Sequence, residues 1–330
     1  MGLNPDLPLR VVTLGGGTGL AALLRALKSE AERPDHPWQL TGIVTVSDNG
    51  GSSGRLREEL GGLPPGDLRN CLSALTREES ILSDLLSYRF KGEGSLAGHS
   101  LGNLMLLAMV DITGDWVKAI RQLSGVLVTA GRLYPSTTVP VTLCAKDVEG
   151  HAYVGETAVN ETTAPIQSIW LEPEAPEPLP EAMLAILRAD LILLAPGSLY
   201  TSTLPNLLIP ELRGAIQKSS APIFYVANLM TEPGETSGLD LEGHLRAIID
   251  IGGIKPTAVL ANDFLPSAET LARYREEGGS PLEPSGPETA GIPVIAESLL
   301  DIEATWARHH PAKVLKAIRS MLATEHFTNN

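Results

Sequence analysis

The stretch Val11-Val12-Thr13-Leu14-Gly15-Gly16-Gly17-Thr18-Gly19-Leu20 restricts the fold of this chain more than any other. A β-branched run passes straight into four glycines and then into the series Leu20, Leu23, Leu24, Leu27, which has helical spacing. That succession reads as a strand, a tight loop and a helix N-terminus. Glycines let a ligand approach the main chain, and a first helical turn offers unpaired N–H groups and the positive end of a dipole. The expected guest is a phosphate. The match to a dinucleotide fingerprint is partial: counted from Gly15 the third position is Leu20, whereas Gly17, Gly19 and Ala22 satisfy the G-x-G-x-x-G/A form. An ordinary glycine-rich βα turn is the competing reading.

A second strand, Leu40–Val46, ends in Ser47-Asp48-Asn49-Gly50-Gly51-Ser52-Ser53-Gly54-Arg55. An acidic residue just past the second strand of a βαβ unit often holds a ribose hydroxyl, although Asp48 lies farther from Gly15 than the usual spacing. Asp48 equally suits a metal ion, a substrate hydroxyl, or plain turn geometry shared with Asn49. The small residues Gly50–Gly54, followed by Arg55 and Arg57, read as an anion-binding loop. Next, Leu63-Pro64-Pro65-Gly66-Asp67-Leu68-Arg69-Asn70 places Asp67 to cap a helix running to Leu75. In Ala97-Gly98-His99-Ser100-Leu101-Gly102-Asn103, His99 and Asn103 share a face if the following helix begins early enough. His99 then reads as a hydrogen-bonded structural residue, a phosphate donor or an acid–base group.

From Gly131 the texture changes. Val139–Ala145 and Tyr153–Val159 read as a hairpin joined by Ile166–Leu171, a β-rich excursion at about 131–172. The alternation of strand and helix resumes with the helix Pro180–Ala189. The strand Leu191–Ala195 follows and ends in Pro196-Gly197-Ser198-Leu199-Tyr200-Thr201-Ser202. Ligands sit outside the carboxyl ends of parallel strands, so Gly197, Ser198, Leu199, Tyr200, Thr201 and Ser202 are expected to face the crevice of Gly15–Gly19. A helix near Asn206–Lys218, the strand Ile223–Ala227 ending in Asn228, and the strand Thr257–Ala261 continue the pattern. The expected fold is α/β, a Rossmann-like three-layer α/β/α arrangement with a mostly parallel sheet, in one domain over residues 1–330. Near the C-terminus, Leu271–Arg275 lies on a short helix, and Trp306-Ala307-Arg308-His309-His310 precedes the helix Ala312–Leu322. His309 and His310 lack companions at zinc-site spacing.

Composition narrows the partners. Hydrophobic residues at 43% with 19% charged and 4% aromatic describe an aliphatic globular core, and a formal net charge of −14 opposes sequence-independent binding to nucleic acid or anionic membranes. No run has the length of a membrane-spanning helix, Met1–Arg10 is short and polar without a signal pattern, and Cys71 and Cys144 read as buried small hydrophobes. A cytoplasmic protein is expected, with a homodimer the commonest closed assembly.

Taken together, the glycine loop, Val46–Arg55, Pro64–Asn70, Gly98–Asn103, Pro196–Ser202 and Pro233-Gly234-Glu235-Thr236 resemble the gluconeogenesis-factor (YvcK/CofD-like) family, in order and across nearly the whole chain. The resemblance implies a Rossmann-like fold and a UDP-sugar ligand, foremost UDP-N-acetylglucosamine, in a regulator linked to cell shape and cell-wall supply during gluconeogenic growth. It associates a tyrosine and an arginine, here Tyr274 and Arg308, with UDP-sugar binding. An arginine suits a diphosphate and a tyrosine suits a uracil or sugar. In this expectation Gly15, Gly16, Gly17, Thr18 and Gly19 hold the diphosphate with Ser198–Ser202, while Asp48 and Asn228 address ribose or base and Asn49 belongs to the same ligand-binding set. The related branch, 2-phospho-L-lactate transferase, implies an alternative: an enzyme acting on a GDP-linked donor with Mg2+, for which Asp48 and Asp67 are the catalytic candidates. Pro65–Asn70 and Leu199-Tyr200 depart from that branch. A third reading, an NAD(P)-binding oxidoreductase, rests on the glycine loop alone.

Overall fold

A computed structural model describes residues 7–77, 81–162 and 164–324. The strands of its main sheet are apolar on both faces. In β1 (Arg10–Gly15), Val12 and Leu14 enter one core while Val11 enters the other. The strand β7 (Leu191–Leu194) divides in the same alternating way. A strand buried on both faces needs a layer on each side, which is the three-layer architecture expected from the sequence.

The remaining strands are β2 (Gln39–Val44), β3 (Gly131–Pro135), β4 (Thr142–Asp147), β5 (Ala152–Val154), β6 (Ile166–Glu172), β7 (Leu191–Leu194), β8 (Ile223–Val226), β9 (Ala258–Asn262), β10 (Glu288–Thr289) and β11 (Ile292–Glu297). Eight of them form one sheet in the order β10-β11-β9-β8-β7-β1-β2-β3, parallel throughout except for β10 on β11. From β1 the chain moves outward through β2 to β3, then returns to β1's other side with β7, β8 and β9. The order therefore reverses between β1 and β7. The carboxyl ends of these two strands form the crevice where open α/β sheets bind ligands.

On one face pack the helices α1 (Gly17–Ala31), α2 (Gly51–Leu60), α3 (Gly66–Leu75), α4 (Ile81–Ser87), α5 (Leu101–Thr113) and α6 (Trp116–Leu127), chiefly through Leu20, Leu24, Leu68, Leu72, Leu106 and Leu123. The other face is covered by a separate sheet in the order β5-β4-β6, with Leu143, Ala145, Ile169 and Leu171 turned into that core. It is also covered by α7 (Glu156–Asn160), α8 (Pro180–Leu187) and the later helices Leu204–Leu208, Pro210–Lys218 and Leu241–Asp250, whereas the helix Pro311–Ala323 packs with α1 on the first face.

Three local expectations change. Gly131–Pro135 pairs with β2 as the edge of the main sheet instead of opening the excursion. The second arm of the expected hairpin stops at Val154, because Gly155 takes φ +91° and turns the chain into α7. The single helix read over Asn206–Lys218 is divided into Leu204–Leu208 and Pro210–Lys218. Proline lacks the N–H needed to continue the first and suits the start of the second.

Candidate functional site

The β1 loop and the β7 loop touch. A methyl group on Gly19 would overlap the carbonyl of Pro196, and one on Gly15 would lie 2.9 Å from Cβ of Ala195. Gly16 is confined by Thr45 and Asp67. These glycines are required by close packing between strand-end loops. Gly17, at φ +57°, has only Ser202 Oγ nearby, 3.6 Å from where a Cβ would stand, and is the glycine that faces open space. Thr18 is exposed beside it. Asn206 Nδ2 ties the loops further by donating to the carbonyls of Gly15 and Ser202.

Asp67 does not cap its own helix. Its Oδ2 accepts the N–H of Gly17 at 2.7 Å, joining the start of α3 to the start of α1. Burial and the charge of Asp48 raise its pKa to about 6, against the opposing pull of the Gly17 N–H and Arg69. Asp48 Oδ1 accepts the N–H of Gly50 at 2.7 Å. Asn49 serves a different purpose from the one expected: its Oδ1 accepts from the N–H and hydroxyl of Thr157, capping the first turn of α7 from outside. That cap holds Glu156 over the site, where it hydrogen-bonds Asp48. Desolvation first, then Asp48, pushes the Glu156 carboxyl up to about 9, so it carries its proton at neutral pH. Asp48 and Glu156 thus pair near the ends of β1 and β2, and Asp67 beside Gly17 feels the charge of Asp48.

In the β7 loop, Leu199 and Tyr200 are core side chains, and Thr201 and Ser202 are buried. The N–H groups of Tyr200 and Thr201 both donate to Oε1 of the buried Glu235. Burial and the neighbouring Glu232 raise the Glu235 carboxyl well above the usual carboxylate range. The Asn228 side chain is engaged on both sides of Gly197, accepting its N–H and donating to its carbonyl, each at 2.9 Å. Asn228 therefore shapes the loop rather than presenting its amide to a base. Ser198 is half-buried at the mouth, and its hydroxyl donates to Glu232 at 2.6 Å.

Glu232 links this loop to the C-terminal residues. The Tyr274 hydroxyl is raised mainly by burial, accepts the Ala307 N–H, and senses Arg308 and Glu232. Its ring stands edge-on to Trp306, centroids 5.4 Å apart. His309 Nε2 bonds the Ala227 carbonyl at the end of β8, and burial lowers that imidazole to about 4, a structural histidine. Tyr274 and the exposed Arg308 are accordingly anchored at the end of β8, one strand from β7.

The other sequence-singled residues assemble elsewhere. Arg57 donates to the Val141 carbonyl at 2.6 Å, so Arg55 and Arg57 do not close a common anion loop. His99 precedes α5, yet it still meets Asn103: His99 Nδ1 lies 3.0 Å from Ser52 Oγ, and Asn103 Nδ2 donates to the same oxygen at 3.3 Å. Asp147, Glu149 and His151 cluster at the β4–β5 turn. Asp147 there outweighs its desolvation by accepting from His151, Tyr153 and the turn amides, and falls to about 2. Its bonds close the turn.

Sequence reasoning missed Glu156 and Glu232. Neither has a local signature, since each acquires its role only when a distant segment folds over a strand end.

Carboxylates placed beside a helix N-terminus disfavour a bare phosphate there. Carboxylate oxygens suit a hard divalent cation such as Mg2+, although among the described residues only Asp147, Glu149 and His151 bring three ligand atoms within 4.8 Å of one another. The family model described as 2-phospho-L-lactate transferase CofD matches residues 11–300. The gluconeogenesis factor of Bacillus subtilis is 39% identical over 326 residues, covering 98% of this chain and 99% of that protein. That of Halalkalibacterium halodurans is 40% identical, covering 93% and 95%. A crystal structure of a UPF0052 family member from Bacillus halodurans superposes with a TM-score of 0.87 at 38% identity, covering 96% of this chain and all of that one. No helix among the described residues is long and apolar enough to cross a membrane. Matched nearly end to end in sequence and in backbone, the chain belongs to the CofD-like gluconeogenesis-factor family.

Proposed function

We propose that the chain is a cytoplasmic nucleotide-sugar-binding regulator whose ligand is UDP-N-acetylglucosamine, acting in cell-shape and cell-wall metabolism during gluconeogenic growth. The observation that carries this reading is the crevice between the β1 and β7 loops. It opens on Gly17 and Ser198 and is flanked at the end of β8 by Tyr274 and Arg308. In this reading the diphosphate lies against the first turn of α1, Arg308 neutralises it, and Tyr274 contacts uracil or sugar. Calorimetric titration tests it. UDP-N-acetylglucosamine is expected to bind, with affinity reduced at least tenfold by Arg308→Ala. Tyr274→Phe, which removes the hydroxyl bonded to Ala307, is expected to weaken binding less. Absence of heat at millimolar ligand, or undiminished binding by Arg308→Ala, contradicts the proposal.

A second reading draws on the carboxyl cluster. Asp48 or Asp67 would hold Mg2+ in this reading, which when bound would neutralise diphosphate charge as a phosphoryl-ester transferase requires. Glu156 carries a proton in that setting, and Asp48 is the candidate to orient a hydroxyl. Magnesium-dependent release of guanosine monophosphate from a GDP-linked donor, abolished by Asp48→Asn, distinguishes this enzyme from a binding protein.

A further inference from the structure

Three arginines from three separate segments converge on the strap Ala97–Asn103. Arg55, on α2, donates through Nη2 to the Ala97 carbonyl at 3.1 Å. Arg89, in the segment after α4, donates through Nη1 to the adjacent Gly98 carbonyl at 2.5 Å. Arg69, on α3, is half-buried and donates through Nε to Asn103 Oδ1 at 3.3 Å. The strap itself is fixed, because Gly98 N–H donates to the Phe90 carbonyl, Phe90 N–H to that of His99, and Leu101 N–H to that of Tyr88. Each guanidinium spends one donor on this scaffold, and a guanidinium has five. Among the described residues none of the three has a carboxylate at ion-pair distance.

Gathering like charges has a cost that shows at Arg69. Its pKa is lowered by burial and further by Arg89, with Asp67 opposing. In a chain of net charge −14, uncompensated guanidinium groups held around one rigid strap need a reason. The polar residues behind them are ordered as well. Asn103 accepts from Arg69 and donates to Ser52 Oγ, which also lies at hydrogen-bond distance from His99 Nδ1.

We infer that Arg55, Arg69 and Arg89 form a second anion site, distinct from the β1/β7 crevice, that takes an oxyanion group, a phosphate or a carboxylate. Guanidinium forks match the geometry of such groups, and charge-assisted bonds of this kind are the strong ones. Asp67 joins the two sites in the chain: it holds Gly17 in the crevice, and two residues later Arg69 enters the anion site. The oxyanion is supplied either by the far end of the crevice ligand or by a separate small metabolite. The inference holds whichever nucleotide the crevice takes.

Inorganic phosphate is the probe, titrated into the full chain by calorimetry at constant ionic strength, with thermal unfolding in parallel. Wild-type protein is expected to bind phosphate and to melt at higher temperature in its presence. Arg89→Gln, an exposed position, is expected to weaken phosphate at least tenfold, and Arg55→Gln with Arg89→Gln to remove the response. Arg69→Lys keeps the charge of the half-buried member and is expected to retain partial binding. Repeating the titration with UDP-N-acetylglucosamine present separates the sources. Competition marks the far end of one ligand, and independent binding marks a second small anion. No phosphate response in the wild type at tens of millimolar, or an unchanged response in the folded double variant, overturns the inference. Failure of UDP-N-acetylglucosamine to bind leaves it untouched.

Discussion

A side chain at residue 19 would occupy the space of the Pro196 carbonyl oxygen. The obstacle is backbone on both sides, so neither loop can relax by rotating a side chain. Gly19→Ala is therefore expected to destabilise the protein by about 2 kcal/mol or more, the scale of overpacking in a rigid interior, measured by denaturant unfolding. It should do so with no ligand present. A variant as stable as wild type would return Gly19 to the role the sequence suggested, close approach to a phosphate. Asp67 carries the same lesson at one residue. Two positions after a pair of prolines it looks like a helix cap, yet its acceptor oxygen is used by Gly17, fifty residues upstream. Local sequence reports which groups can make a bond and says little about a partner delivered by folding.

At the scale of elements, α7 is short and its placement decides the chemistry of the site. Gly155 breaks the strand, Asn49 caps the first turn, and Glu156 is delivered to Asp48. The alternation of apolar residues in 139–159 reads as a continuing hairpin because a five-residue helix leaves no periodic signal. β7 and β8, by contrast, are apolar runs ended by polar loops, and both were legible. Raised above its unfolded value to about 9, Glu156 holds a proton in the folded chain that the unfolded chain has released. Its contribution to stability is complete below about pH 4.5 and is lost as pH rises through about 9. Thermal unfolding from pH 5 to 9 should show stability declining with pH, and Glu156→Gln should flatten that decline. Mg2+, which favours the deprotonated carboxylates, should stabilise the wild type more at pH 8.5 than at pH 6. Parallel profiles for wild type and variant would remove Glu156 from this role.

The whole molecule follows from one reversal of strand order. Three-layer packing was legible because β1, β7 and β9 are apolar on both faces, and the crevice was legible because β1 and β7 each end in glycine and hydroxyl residues. Tyr274 and Arg308 had no such signal of their own. Only the family resemblance singled them out, since their position beside the β7 loop depends on Glu232 and on His309 docking at Ala227. The central claim is that this crevice holds the diphosphate of a nucleotide sugar. The most direct measurement is the electron density of crystals grown with UDP-N-acetylglucosamine and Mg2+. The account predicts the diphosphate between Gly17 and Ser198, with Arg308 on its phosphates. Nucleotide bound away from the β1 and β7 loops would contradict it.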